Sequence, residues 1–226
     1  IAQRAATYAY RVILVDSQSA QLRAAETRIV DSLDKLIKKG VLTESKKTLI
    51  LKNVEFHESL DRLADCDLVI EAVTENRELK KKVFADLDRL CKPATILASN
   101  TSSIPLKILA GATRRPDKAL GLHFMNPAPL IPLVELIRAD QTSDATIIIC
   151  KEWLATLESE VVESSDSPGF IINRILIPMI NEAVRVLEAG VASAQDIDKA
   201  MVVGTRQPMG PLALADLIGL DTVLFI

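Results

Sequence analysis

No stretch of the chain reads GxGxxG, and among its 226 residues there are only two histidines, three cysteines and one tryptophan. Without that glycine pattern, the usual mark of a dinucleotide-binding loop is missing from the sequence itself. The cysteines, Cys66, Cys91 and Cys150, are odd in number, far apart and in no CxxC arrangement. They fit neither a disulfide framework nor a metal knuckle, and suit reduced thiols in a cytoplasmic compartment; no metal site is expected. The net charge is −3 and the pI is about 5.5. That argues against a nucleic-acid partner, because phosphate binding needs concentrated positive charge. The first residues lack a charged region followed by an apolar one, so no signal peptide is read there. The most apolar helical candidate, "GFIINRILIPMI", is interrupted by Asn173 and Arg174 and is too short to span a bilayer, so no membrane partner is expected.

What remains is the composition of a globular protein, 49% apolar and 25% charged, long enough to bury a core. Both ends read as cuts. The chain opens at Ile1, inside "IAQRAATYAY", which has the texture of the latter part of a helix, and it stops in "TVLFI". The expectation is a piece of a longer protein.

Strand-like and helical runs alternate through the first two thirds. "RVILVD" (11–16) is a β-branched run ending in an acid. After it, Leu22, Ala25, Ile29, Leu33 and Leu36 recur at helical spacing, with Gly40 as a stop. "TESKKTLILK" is a second helix, "NVEF" a weak strand and "DLVIEAV" (67–73) a strong one. "RELKKKVFADLDRLC" is an amphipathic helix, "ATILAS" a strand, and "IPLKILAG" a short helix. "KALGLHF", "LVELI" and "EVVE" read as strands, with the helix "SDATIIICKEWLATLES" before the last. Apolar strands separated by helices imply an α/β fold with a mostly parallel, doubly covered, Rossmann-type sheet. After "ESSDSPG" (163–169) the texture turns wholly helical, with glycine and proline at the joints. This predicts an α/β domain over 1–167 and a helical one over 168–226.

Three places invite a chemical reading. Asp16 ends a strand where a dinucleotide fold sets the acid that binds the ribose hydroxyls, and no arginine immediately follows it, which favours NAD over NADP. "LASNTSS" (97–103) runs an apolar strand into a polar turn, at the strand end where open α/β sheets bind ligands. "GLHFMNPAPLIPLVELI" (121–137) sets His123, Asn126 and Glu135 in an apolar setting, and "SPGFIINRI" opens a long helix that places Asn173 one turn in. Each has a local alternative: a satisfied core histidine, turn capping by Ser and Thr, a loop contact for Asn126, a helix-face hydrogen bond for Asn173. Taken jointly, those alternatives are strained.

The stretches "DLVIEAVTEN", "ILASNTSSI", "RPDKALGLHFMNPAPLIPLVELI", "SPGFIINRILIPMINEAV", "DIDKAM" and "PMGPLALADLIGLDT" give the chain its resemblance, over essentially its whole length, to the L-3-hydroxyacyl-CoA dehydrogenase family, nearest to its bacterial 3-hydroxybutyryl-CoA branch. The resemblance implies NAD-dependent oxidation of a secondary alcohol at C3 of an acyl-CoA thioester, in fatty-acid β-oxidation or butyrate metabolism. It puts the catalytic histidine on His123, its partner acid on Glu135, the substrate-orienting serine on Ser102 and the active-site asparagine on Asn173. Cofactor contacts fall on Asp16, Glu75, Lys80, Ser102 and Asn126, and coenzyme A contacts on Ser32 and Lys39. The basic helix carrying the last two also reads as a solvated face. His57 matches none of these motifs. A homodimer through the helical domain is implied as well. The first strand and glycine loop of the family would precede Ile1, and its last helices would follow Ile226. Their loss is expected to expose apolar sheet edges and abolish tight NAD binding, so the chemistry is expected of the parent protein. The alternatives are a non-catalytic member of this scaffold or one that oxidises a sugar acid.

Overall fold

A computed structural model describes residues 1–225. The chain runs α1 (Ala2–Thr7), β1 (Val12–Val15), α2 (Ser19–Lys38), α3 (Glu44–Lys52), β2 (Val54–His57), β3 (Leu68–Glu71), α4 (Arg77–Leu90), β4 (Ile96–Ser99) and α5 (Leu106–Ala110). It continues with β5 (Ala119–Phe124), β6 (Leu133–Arg138), α6 (Asp144–Thr156) and β7 (Glu160–Ser165). Four helices follow: α7 (Ile172–Glu188), α8 (Ala194–Thr205), α9 (Pro211–Ile218) and α10 (Leu220–Phe225). By packing, the chain divides into two units, Ile1–Thr101 with Pro105–Asp166, and Ser102–Ile104 with Ser167–Ile226.

The first unit has the expected Rossmann-like α/β architecture. β1 and β2 pair in parallel as a two-stranded sheet, and the other five strands form a sheet in the order β3-β4-β5-β6-β7. Every pairing is parallel except β5 with β6. A parallel return needs a crossover of about a dozen residues or more. The short 125–132 loop can only bring β6 back antiparallel. All six residues of β5 are buried, as befits a central strand covered on both faces. Leu120, Leu122, Val134 and Leu136 face Ile147, Cys150 and Leu154 of α6. Burial pushes the Cys150 thiol up to about 12, so this cysteine acts as a core apolar residue. Because side chains alternate along a strand, His123 and Glu135 stand on the opposite face from these leucines.

Around β1 and β2 a second core gathers Leu33, Ile29, Ile50 and Val54. The helical spacing read from Leu22 to Leu36 is realised in α2, whose Leu22, Ile29 and Leu33 are buried, and Gly40 beyond it takes φ +70°, a value natural to glycine. α3, α4 and α6 start at side-chain caps, Thr43, Asn76 and Ser143, each accepting a backbone N–H of the first turn.

Several boundaries differ from the sequence reading for local reasons. The apolar run 67–73 is strand only to Glu71, whose carboxylate takes the Val73 N–H at 2.6 Å and turns the chain. "EVVE" extends to Ser165 because Arg138 and Ser165 still pair. Two short 3-10 turns, Leu60–Leu63 and Pro116–Lys118, went unpredicted.

In the second unit, α8 is capped by Ser193, and Asp198 on α8 accepts the Leu212 and Ala213 amides at 2.9 and 3.0 Å, capping α9. Gly210 lies so close that a Cβ there would meet the Asp198 Cγ at 2.3 Å. The last helical run breaks at Gly219, with φ +99°.

Gly121 sets the approach of β5 to its neighbours. It pairs with Ile137, and a Cβ added to it would lie 2.9 Å from the Ile137 Cβ and 3.2 Å from the Leu106 Cδ2. Gly121→Ala is expected to lower stability by about 1–3 kcal/mol through overpacking, read as a lower urea midpoint at unchanged slope; an unmoved midpoint would mean that the strands yield freely there.

Candidate active site

The antiparallel register sets His123 directly opposite Glu135. Cross-strand partners have neighbouring Cβ atoms on one face, so the two side chains meet without any long reach. His123 Nδ1 lies 2.7 Å from Glu135 Oε2, with 8% and 0% of the respective side chains exposed. An ionised carboxylate can only accept, so the shared proton belongs on Nδ1, and in the neutral imidazole the lone pair is then on Nε2. Glu135 sits between Val134 and Leu136, both fully buried. A carboxylate in such surroundings is costly unless paired, and the imidazole is the pairing group.

A second buried acid lies three strands from Glu135 and went unread in the sequence. The Glu71 side chain is fully buried at the end of β3. Its Oε1 accepts from Lys80 Nζ at 2.8 Å and from the Val73 N–H, and its Oε2 accepts from Ser99 Oγ at 2.6 Å. Lys80, 1% exposed, also donates to the Val73 carbonyl at 3.0 Å and pairs with Glu75 Oε2 at 3.2 Å. Thr101 Oγ1 donates to Glu75 Oε1. All three ammonium protons of Lys80 thus point at oxygens within the fold, and the lysine fixes the β3–α4 turn that carries Glu75. The signal was available: Glu71 interrupts "DLVIEAV" as Glu135 interrupts "LVELI", and an acid inside an apolar strand needs a partner.

The remaining candidates are spread over the molecule. Asp16 follows β1, partly exposed; its N–H donates to the His57 carbonyl and its Oδ1 accepts the Gln18 N–H at 2.8 Å. The other carboxylate oxygen has no hydrogen bond among the described residues. A partly exposed carboxylate with an open oxygen at a parallel strand end suits a pair of ribose hydroxyls, and Ser17, Gln18 and Ser19 offer no cation for a 2′-phosphate. These residues fit NAD. Asn126 is exposed in the loop after β5. That loop is pinned by the buried Arg4 of α1, which donates to the Ala128 and Ile131 carbonyls at 3.0 and 3.1 Å and to those of Leu157 and Glu158 at 2.9 and 3.2 Å. Ser32 lies within α2 and Lys39 is its C-cap residue, two turns on, with Lys35 and Lys38 in the last turn. Ser102 and Asn173 belong to the second unit, both partly buried, Asn173 in the first turn of α7. His57 is engaged elsewhere: its Nε2 is 3.3 Å from Glu55, whose carboxyl is held at about 2 by hydrogen bonds from Arg11 and then His57.

Comparison with known proteins gives one answer along the whole chain. The family model described as 3-hydroxyacyl-CoA dehydrogenase, NAD binding domain, matches residues 1–167, and the one described as 3-hydroxyacyl-CoA dehydrogenase, C-terminal domain, matches 169–226. The chain is 49% identical over 226 residues to the 3-hydroxybutyryl-CoA dehydrogenase of Bradyrhizobium diazoefficiens, covering 100% of this chain and 77% of that one. It is 42% identical over 233 residues to the mitochondrial hydroxyacyl-coenzyme A dehydrogenase of Sus scrofa, covering 100% of this chain and 74% of that one. Among solved structures, the (S)-3-hydroxybutyryl-CoA dehydrogenase of Ralstonia eutropha superimposes with a TM-score of 0.95 at 46% identity, over 99% of this chain and 79% of that one.

The Glu71–Lys80 pair makes a stability prediction. Lys80→Met leaves Glu71 buried without its cation and should cost about 3–5 kcal/mol, measured by urea unfolding. A loss below about 1 kcal/mol, the range of exposed pairs, would mean that water reaches the carboxylate.

Proposed function

The chain belongs to the 3-hydroxyacyl-CoA dehydrogenase family and is an NAD-dependent oxidoreductase of that kind; on this premise we propose that its substrate is a short-chain (S)-3-hydroxyacyl-CoA, 3-hydroxybutyryl-CoA, oxidised reversibly to the 3-oxoacyl-CoA. The observation that carries the residue assignment is the 2.7 Å contact of His123 Nδ1 with Glu135 in a buried cross-strand pair. His123 Nε2 takes the proton from the C3 hydroxyl as the carbonyl forms, and returns it in the reverse direction. Glu135 holds the imidazole in the tautomer that leaves Nε2 bare, and stabilises the imidazolium once it forms. The chemistry that NAD supplies when bound is acceptance of the hydride that C3 releases.

In this reading Asp16 takes the adenosine ribose hydroxyls, and Glu75, Ser102 and Asn126 line the cofactor's path. Lys80, its donors engaged inside the fold, serves that path by fixing Glu75. Ser102 and Asn173 orient the thioester substrate, and Ser32 with Lys39 meet the coenzyme A phosphates, which ammonium groups at a helix end suit. Residues 1–167 form the NAD-binding domain and 168–226 the helical substrate and dimerisation domain. A homodimer through the latter is supported by large apolar side chains left exposed on it, including Ile175, Val203 and Leu217 at 67–70%. No nucleic-acid or membrane partner belongs to this reading. A cytoplasmic location is part of it, supported by three free thiols.

NAD reduction with 3-hydroxybutyryl-CoA tests the assignment. His123→Ala is expected to lower kcat by about 10²–10⁴-fold. Glu135→Gln, whose amide can offer an N–H to Nδ1 and so favour the wrong tautomer, should lower it by up to about 10⁴-fold, with substrate affinity retained in both. Unchanged turnover in either variant, or activity confined to free hydroxy acids, would remove the mechanism.

A further inference from the structure

The β4–β5 ladder ends early. Its last pair is Ser99 with Gly121, so His123 and Phe124 run on past the end of β4 while β5 stays paired with β6. One side chain extends the ladder by a further rung: Asn100 Oδ1 accepts the Phe124 N–H at 2.9 Å. The amide orientation follows from the donor, since only its oxygen can accept a backbone N–H. We propose that Asn100 is a positioning residue, a side-chain continuation of β4 that fixes the backbone beside His123 and thereby aims the imidazole; this rests on the reading of His123 as the proton acceptor.

Asn100 is itself held from the far side. Its N–H donates to the Glu71 carbonyl at 2.8 Å. The preceding residue, Ser99, donates its hydroxyl to Glu71 Oε2 and accepts the Thr101 N–H at 3.2 Å. Lys80 anchors the Glu71 carboxylate. A continuous set of hydrogen bonds therefore runs from Lys80 through Glu71 and Asn100 to Phe124, crossing three strand ends. Glu135 fixes His123 from the β6 side and Asn100 fixes it from the β4 side. With Asn100 removed, the end of β5 keeps one neighbour and can pivot about β6. An imidazole displaced by about 1 Å is enough to cost about 10²-fold in rate.

Two near-isosteric variants isolate the rung. Asn100→Leu removes the acceptor, while Asn100→Asp keeps it. In the full-length protein, Asn100→Leu is expected to speed hydrogen exchange of the Phe124 amide at least about tenfold, a local opening. It should lower kcat about 10- to 100-fold while both KM values stay within about threefold, the pattern of lost transition-state alignment rather than lost binding. Asn100→Asp should restore the Phe124 protection and most of kcat. An unchanged kcat in Asn100→Leu would overturn the proposal. So would faster exchange spread through β4, β6 and β7 with no rescue by Asp, which would make Asn100 a general packing residue. Should the wild-type protein fail to reduce NAD with 3-hydroxybutyryl-CoA, the functional reading would fall, while the exchange comparison would still decide whether the rung holds the strand.

Discussion

A hydrogen bond between two strands running in opposite directions, His123 to Glu135, is the constraint on which the site depends. It exists because β6 returns beside β5 after a loop too short for a crossover, in a register that sets residue 123 against 135. A slip of one residue would turn Glu135 onto the leucine-lined face toward α6, where nothing compensates its charge. Register and chemistry are thus the same requirement. The glycine at 121 lets the strands close, and the imidazole at 123 gives a hydrogen bond to the acid that this closeness buries.

The five-stranded sheet uses this device twice. Glu135 interrupts β6 and is matched by a histidine; Glu71 ends β3 and is matched by a lysine. Each acid lies on a buried strand, and each takes a nitrogen from a neighbouring element within 2.7–2.8 Å. Their consequences differ. Lysine spends its protons on three oxygens and stiffens a turn, whereas the imidazole meets the acid with one of its two nitrogens, Nδ1. Buried polar groups of this kind are tolerated when their partners are complete, and they then hold a single arrangement.

Much of this was legible in the residues. Apolar runs bounded by turns located the strands, period-3.6 spacing located α2 and α4, and the acid after "RVILV" pointed to a ribose site. The pairing of His123 with Glu135 came from family resemblance, because spacing along the chain does not state which strands lie side by side. What stayed hidden was non-local. The Asn100 rung needs β4 to end before β5 does, and the Arg4 clamp needs four carbonyls from two distant segments. Ser102–Ile104 packing with the helical unit also has no signal in the local sequence. Glu71 alone was missed with its signal in plain view.

The tautomer of one imidazole tests the central claim most directly. With only two histidines in the chain, ¹⁵N-labelled imidazole signals can be assigned by comparison with His57→Gln. In its neutral form His123 should carry its proton on Nδ1, hydrogen-bonded to Glu135, with Nε2 bare. A proton found on Nε2, or an even mixture of the two tautomers, would contradict the claim that the acid holds this base ready.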